Sequence, residues 1–277
     1  MQCLINREGH RLVVDADLRV TLTEIPHDKL MKQIERRIAD HSVLRLIRMW
    51  LETPVEEVDK KDGVKKKSWE NKDKHQGTPQ GSPISPLLSS IYMRQFISAW
   101  DNLRYDKWFG GAIVNYADDL VICGKKNGEE AMEKFRSLMN LMGLTVNEEK
   151  TRMVYMPKGE FIFLGYEFRE LHSVRLNKKY VGARPAEKSI KNLTEKIYER
   201  TAANKGCIDA SLLVKGLNRV IRGWPNYFTI GAVSKAYRRI RNYTIDRFRH
   251  WFWQVRKSGK PKGTRGSQTK NCLRNTG

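Results

Sequence analysis

The stretch Ile113-Val114-Asn115-Tyr116-Ala117-Asp118-Asp119-Leu120-Val121-Ile122-Cys123 constrains the fold more tightly than any other part of the chain. Two adjacent carboxylates sit between two short apolar runs. Each run reads as a buried strand, and the polar centre reads as the tight turn joining them. A hairpin holding Asp118 and Asp119 at its tip concentrates negative charge. Adjacent like charges repel and raise each other's pKa unless a cation sits between them. Ligands that offer only oxygen suit hard ions such as Mg²⁺. The pair therefore points to a place where magnesium meets phosphate. A solvated Asp-Asp turn is the competing reading, and the rest of the chain decides between them.

Charge is the second constraint. The 277 residues carry 52 Lys+Arg and 31 Asp+Glu, a net of +21. From His172 to Gly277 there are 25 basic and 5 acidic residues, a net of +20, which leaves 27 and 26, a net of +1, for Met1 to Leu171. A split this uneven points to a polyanion, most simply nucleic acid, held by the C-terminal region. An anionic membrane surface fits less well, because the basic residues mix with Trp and Tyr over a long stretch rather than forming one amphipathic helix. The mean hydropathy of -0.61 and the lack of a long apolar run argue against a membrane span. The first residues, Met1 to Glu8, contain no apolar signal core. Cys3, Cys123, Cys207 and Cys272 are scattered, with no Cys-x-x-Cys, so neither a zinc site nor a disulfide framework is indicated. A cytoplasmic, reducing setting is the expectation.

A hydrophobic share of 40% is enough for a substantial core. Arg11 to Leu18 reads as a strand with acids near its end. Leu30, Ile34, Ile38, Leu44 and Ile47 recur at helical spacing, so one or two helices are expected between Pro26 and Trp50. Glu56 to His75 is charged and reads as an exposed hairpin or loop. Pro86–Trp100 and Glu129–Met142 read as helices, Thr145 as the centre of a short strand, and Phe161–Phe168 as another strand. Ile190-Leu193-Ile197, Leu212-Leu217-Ile221 and Tyr237-Ile240-Tyr243 mark basic helices. The expected class is α+β: an antiparallel sheet with packed helices, then a basic helical domain. The expected divisions are residues 1–171, 172–256 and a basic, flexible tail at 257–277.

Asp17 closes an apolar strand well before the Asp-Asp turn. If the two strands are neighbours, Asp17, Asp118 and Asp119 would converge. Three carboxylates would then hold two metal ions roughly 4 Å apart, a geometry that stabilises the attacking and leaving oxygens of phosphoryl transfer. Asp15 lies on the same strand face and competes for the role.

At this point the chain resembles a known family. Gly77-Thr78-Pro79-Gln80-Gly81-Ser82-Pro83-Ile84-Ser85-Pro86-Leu87-Leu88 is similar to the fourth sequence block of bacterial group II intron reverse transcriptases, and Tyr116-Ala117-Asp118-Asp119 to the fifth. Gly143–Thr151 and Phe163–Phe168 resemble the sixth and seventh. Arg222-Gly223-Trp224-Pro225-Asn226-Tyr227-Phe228 resembles the signature of the maturase, or thumb, domain. The resemblance implies a polymerase palm followed by a basic helical thumb. It implies Asp17, Asp118 and Asp119 as catalytic, metal-binding residues for two Mg²⁺. Gln80, Gly81 and Lys150 would lie along nucleotide and template, with Leu22 at the steric gate against the ribose 2′-OH. Leu164 and Gly165 would form the primer grip. Arg222, Asn226, Arg238, Arg239 and Arg241 would face RNA, with Trp224 and Phe228 in the core and Gly223-Trp224 opening a helix.

The departures are also informative. The family's Asp-Ile-Lys-Gly-Phe-Phe-Asp reads here Asp17-Leu18-Arg19-Val20-Thr21-Leu22-Thr23. Glycine has become Val20, both aromatics are gone, and the second acid is Thr23. N-terminal fingers would precede Met1, so the chain reads as a truncated or partly decayed member, or as one piece of a split protein with an upstream fingers fragment as partner. Two functions compete. One is an RNA-directed DNA polymerase acting on an RNA template, DNA primer and dNTPs, with intron RNA held by the maturase domain. The other is a non-catalytic maturase that folds intron RNA. A DNA endonuclease is not expected, because no His/Cys cluster is present.

Overall fold

The structure, a computed structural model, describes residues 1–17, 24–58, 65–68, 70–78, 82–116, 119–173, 175–202 and 209–257. The chain divides into two compact units. The first comprises Met1–Phe163 with Arg169–Val181, and the second Leu164–Phe168 with the residues from Gly182 onward.

The first unit begins with a short helix α1 (Gln2–Asn6) and strand β1 (Leu12–Asp17). Helices α2 (His27–Glu35) and α3 (His41–Leu51) follow. The Asp40 side chain accepts from the amides of Ser42 and Val43 and so starts α3, as an N-cap does. The charged stretch after them pairs as a hairpin, β2 (Val55–Val58) with β3 (Lys65–Ser68), whose register sets Glu56 against Lys67 and Glu57 against Lys66. A single turn, α4 (Glu70–Asp73), precedes the long helix α5 (Ser85–Asn102), with Pro86 in its first turn, where a missing N–H costs nothing. Then come α6 (Tyr105–Trp108), β4 (Ala112–Tyr116), β5 (Asp119–Gly124), α7 (Gly128–Met142) and β6 (Arg152–Tyr155).

Four strands form one antiparallel sheet in the order β4-β5-β1-β6. Its centre is β5 and β1, and their uninterrupted apolar runs suit strands covered on both faces. Leu12, Val13, Val14, Leu120, Val121, Ile122 and Cys123 are all buried. Val14, Ala16, Leu120 and Ile122 share the face that packs on α5 and α7 through Leu88, Tyr92, Phe96, Trp100, Phe135 and Met139. Burial pushes the Cys123 thiol up to about 11, so it stays protonated and inert.

The strand expected around Thr145 is reduced to a single β-bridge at Val146. α7 ends at Gly143 in the left-handed conformation, and the Thr145 amide donates to the Glu24 carboxylate at 3.0 Å, so no longer ladder forms. The strand of this region is β6. Strands β7 (Phe161–Phe163), β8 (Tyr166–Ser173) and β9 (Lys178–Pro185) form a second sheet, and the chain passes from the first unit to the second within β8 and β9.

The second unit is built on helices α8 (Glu187–Arg200), α9 (Ala210–Tyr227) and α10 (Ser234–Lys257). Ile190, Leu193 and Ile197 on α8 meet Leu213 and Leu217 on α9 and Ala236, Ile240 and Trp251 on α10. The core residue of α9 is Leu213 and not Leu212, which is exposed. Among the described residues no helix is long and apolar enough to cross a membrane.

Candidate active site and nucleic-acid surface

One end of the four-stranded sheet gathers the chemistry. β4 and β5 pair antiparallel with Tyr116 opposite Asp119, and the residues joining them, Ala117 and Asp118, lie outside the described residues. β1 pairs antiparallel with β5, and its last pair is Asp17 with Asp119. Directly opposed Cα atoms in such a ladder lie about 4.5–5.5 Å apart, and alternation puts both positions on the face away from the α5–α7 core. On the other side β1 pairs with β6 from Leu12↔Tyr155 to Asp15↔Arg152. The paired stretch ends there, two residues after Lys150. Lys150 sits in the turn that leads into β6, where the amides of Lys150 and Thr151 both donate to the Asn147 carbonyl. The Arg136 guanidinium grips Glu148 of the same turn at 2.9 and 2.6 Å, tying it to α7.

Asp15, the competing acid, is committed elsewhere. Arg152, its register partner, lies 3.3 Å from its carboxylate. Asp119 is exposed at the strand end. Among the described residues no three His, Cys, Asp or Glu side chains converge as a metal site; Asp118 and the Asp17 side chain fall outside that description. Asp17 and Asp119, the residues that the register sets opposite each other, both carry carboxylates, and oxygen donors suit a hard divalent cation. Leu22, Gln80 and Gly81 also lie outside the described residues.

The approach to Gln80 is fixed by contacts that the sequence did not reveal. The Gly77 amide donates to the Ile25 carbonyl at 2.8 Å, Pro26 bridges Gln76, and the buried His27 ring nitrogen Nε2 lies 2.6 Å from the Gly77 carbonyl. The chain just before Gln80 is thereby pinned to the segment that follows the Asp17 block. Burial lowers the His27 pKa below its ordinary 6.5, outweighing the Gly77 carbonyl, which pulls it up. The unfolded chain therefore binds this proton more readily, and stability from neutral His27 is complete above about pH 6.5 and declines below it. The urea midpoint is expected to fall between about pH 7 and pH 5.5, and His27→Gln to flatten that fall. An unchanged pH dependence in His27→Gln would contradict the assignment.

In the second unit, Leu164 and Gly165 form the turn between β7 and β8, both with positive φ, 50° and 74°. The Arg222–Phe228 block lies at the end of α9 and does not open a helix. Pro225 is inside the last turn, where it removes one backbone donor. The carbonyls left over at that end are met by hydroxyls: Tyr166 donates to Tyr227 O at 2.9 Å, and Tyr237 to Phe228 O. Trp224 packs on Phe228 with ring centroids 4.4 Å apart and edge-on to Tyr237 at 6.0 Å, so it belongs to the core. Arg222, Asn226, Arg238 and Arg241 are exposed. Arg239 is exposed too, but its guanidinium is held by Glu187 at 2.6 Å.

A central antiparallel sheet with acidic strand ends, backed by helices and followed by a basic helical unit, is the architecture of a polymerase palm and thumb. Residues 1–168 match the family model for reverse transcriptase (RNA-dependent DNA polymerase), and the chain belongs to that family. Residues 190–271 match the group II intron, maturase-specific domain. Reverse transcriptases generally use divalent metal ions. Among curated relatives, the chain is 22% identical to the uncharacterized 91 kDa protein in the cob intron of Schizosaccharomyces pombe, over 81% of this chain and 35% of that one. It is 28% identical to protein YkfC of Escherichia coli K12, over 65% of this chain and 52% of the relative. A putative COX1/OXI3 intron 1 protein of Saccharomyces cerevisiae is 24% identical over 57% of this chain and 24% of its own length. The chain thus spans about half the length, or less, of these relatives. Among solved structures it is similar to the apo telomerase of Candida tropicalis truncated from its C-terminal domain, with TM-score 0.46 and 14% identity over 64% of this chain and 37% of that one.

Proposed function

We propose that this chain is the palm and maturase portion of an intron-encoded reverse transcriptase. In this reading the second unit binds structured intron RNA, and the sheet end extends a DNA primer on an RNA template. The observation that carries it is the pairing of Asp17 with Asp119 at one end of the sheet, beside the turn that holds Lys150. Asp17, Asp118 and Asp119 would hold two Mg²⁺. Bound there, the ions would stabilise charge on the attacking and leaving oxygens of phosphoryl transfer. The chain's own contribution is placement. The opposed strands set position 17 against Asp119, Lys150 would offer a point charge to the nucleotide phosphates, and Gln80 and Gly81 would lie along nucleotide and template. The test is primer extension on an RNA template with dNTPs and Mg²⁺. Template-dependent synthesis supports the polymerase. Tight binding of structured RNA without synthesis supports the second reading, a non-catalytic maturase. What favours that reading is the altered block, in which Val20, Thr21 and Leu22 replace glycine and two aromatics of the family pattern.

That substitution makes its own prediction. A leucine is smaller and differently shaped than an aromatic gate, so discrimination against rNTPs should be eroded by about 10- to 200-fold, as in other pockets selected by size. Leu22→Phe is expected to restore dNTP preference. Equal dNTP preference in both chains would reject the relaxed gate.

RNA binding should be electrostatic and carried by exposed arginines. Each phosphate neutralised contributes about -0.7 to -0.9 to the slope of log affinity against log salt. Arg238→Ala with Arg241→Ala should reduce the magnitude of the slope by about 1.4 to 1.8, while Arg239→Ala, whose charge Glu187 already meets, should change it less. A flat salt dependence in the parent chain would contradict the assignment.

A further inference from the structure

The Leu164–Gly165 turn is held in an unusual conformation by residues with no assigned role. Two successive left-handed residues suit a two-residue hairpin loop, but such loops ordinarily carry Asn, Asp or Gly at the first position. Here that position is leucine, with φ 50°. A leucine rarely adopts this region, and such strain persists only where the surroundings enforce it. Those surroundings are explicit. The Tyr227 hydroxyl donates to the Leu164 carbonyl at 2.9 Å. The Gly165 carbonyl accepts from the Ala186 amide at 2.9 Å and from Ser189 Oγ at 3.2 Å. A Cβ on Gly165 would lie 3.0 Å from Ser189 Oγ and 3.3 Å from the Phe228 ring, so the turn is seated against α8 and the end of α9.

The arrangement is reciprocal. Tyr227 reaches back to Leu164, while Tyr166, the residue after the turn, donates to the Tyr227 carbonyl at 2.9 Å. The two rings lie 6.2 Å apart, and both flank Phe228, at 4.9 and 4.8 Å. Tyr227 is 55% exposed, so burial of its ring does not explain its place; its hydroxyl does.

We infer that Tyr227 is a positioning residue, whose hydroxyl clasps the Leu164–Gly165 turn in the shape that presents it to a primer strand. The inference rests on the reading of that turn as the primer grip. It gives the Arg222–Phe228 block a second role, since the block both carries RNA-facing polar residues and holds the turn in shape.

The test uses the full chain with Tyr227→Phe, which removes only the hydroxyl, and with Leu164→Gly added to it. Glycine takes the left-handed conformation without help, so the double variant should not need the clasp. Two quantities are read: amide exchange at Gly165 and Tyr166, and affinity for a DNA primer–RNA template duplex set against affinity for structured RNA without a primer. Tyr227→Phe should speed exchange at the turn by about three- to tenfold and weaken duplex binding by a similar factor, with unprimed RNA affinity held within about twofold. Leu164→Gly should restore duplex affinity. Unchanged exchange in Tyr227→Phe overturns the clasp. Faster exchange with unchanged duplex affinity, or a loss that Leu164→Gly does not rescue, overturns its positioning role. A parent chain that binds no duplex counts against the polymerase reading, and exchange then decides the clasp alone.

Discussion

Replacing Asp118 and Asp119 together with alanine is expected to lower Mg²⁺-dependent primer extension by at least about a thousandfold and to leave RNA affinity nearly unchanged. The two effects separate because the charges separate. Asp119 stands at the end of a sheet in the first unit. The net charge of +20 lies from His172 onward. Removing two carboxylates takes away the metal donors without touching the phosphate-binding arginines. If anything, RNA affinity should rise slightly, since two negative charges are lost. Steady-state extension and filter binding on the same preparations check both halves. Equal loss of synthesis and RNA affinity would show that the acids act on folding instead.

The second large effect is on stability. Trp224→Ala should destabilise the protein by about 3 kcal/mol, the lower end for an aromatic truncation because the side chain is only partly buried. For a chain of this size that corresponds to a fall in Tm on the order of 6–12 °C. The loss is of packing, against Phe228 at 4.4 Å and Tyr237 at 6.0 Å. Among the described residues Trp224 Nε1 is buried without a hydrogen-bond partner, so Trp224→Phe should cost clearly less than alanine. Thermal unfolding of the two variants is the check. A stable Trp224→Ala protein that has lost RNA binding would move Trp224 from core to base-stacking surface.

The pairing of β4 with β5 was legible because both its signals are local: two apolar runs and a short polar break. Asp17 was legible as a strand end, but its pairing was not. Nothing near residue 17 states that β1 lies between β5 and β6, and it is that order which sets Asp17 against Asp119. Misreadings arose where a tertiary contact overrode a local pattern. Thr145 has a strand-forming side chain, yet Glu24 takes its amide. Pro225 resembles a helix-start signal, yet the helix has run since Ala210 and its last carbonyls are met by the hydroxyls of Tyr166, 61 residues away, and Tyr237. Leu212 and Leu213 are equally apolar, and which one faces the core depends on the rotation at which α9 packs. The bonds from His27 to Gly77 and from Tyr227 to Leu164 span 50 and 63 residues and leave no periodic trace.

The central claim is that Asp17 and the Asp118-Asp119 turn share one metal site. Ferrous iron in place of Mg²⁺, with ascorbate and peroxide, cuts backbone close to where it binds. The account predicts cleavage at two segments far apart in sequence, one around Asp17 and one around Asp119. Both cuts should be suppressed by excess Mg²⁺ and both lost in Asp119→Ala. Cleavage at one segment alone, or a cut near residue 17 that persists in Asp119→Ala, would contradict it.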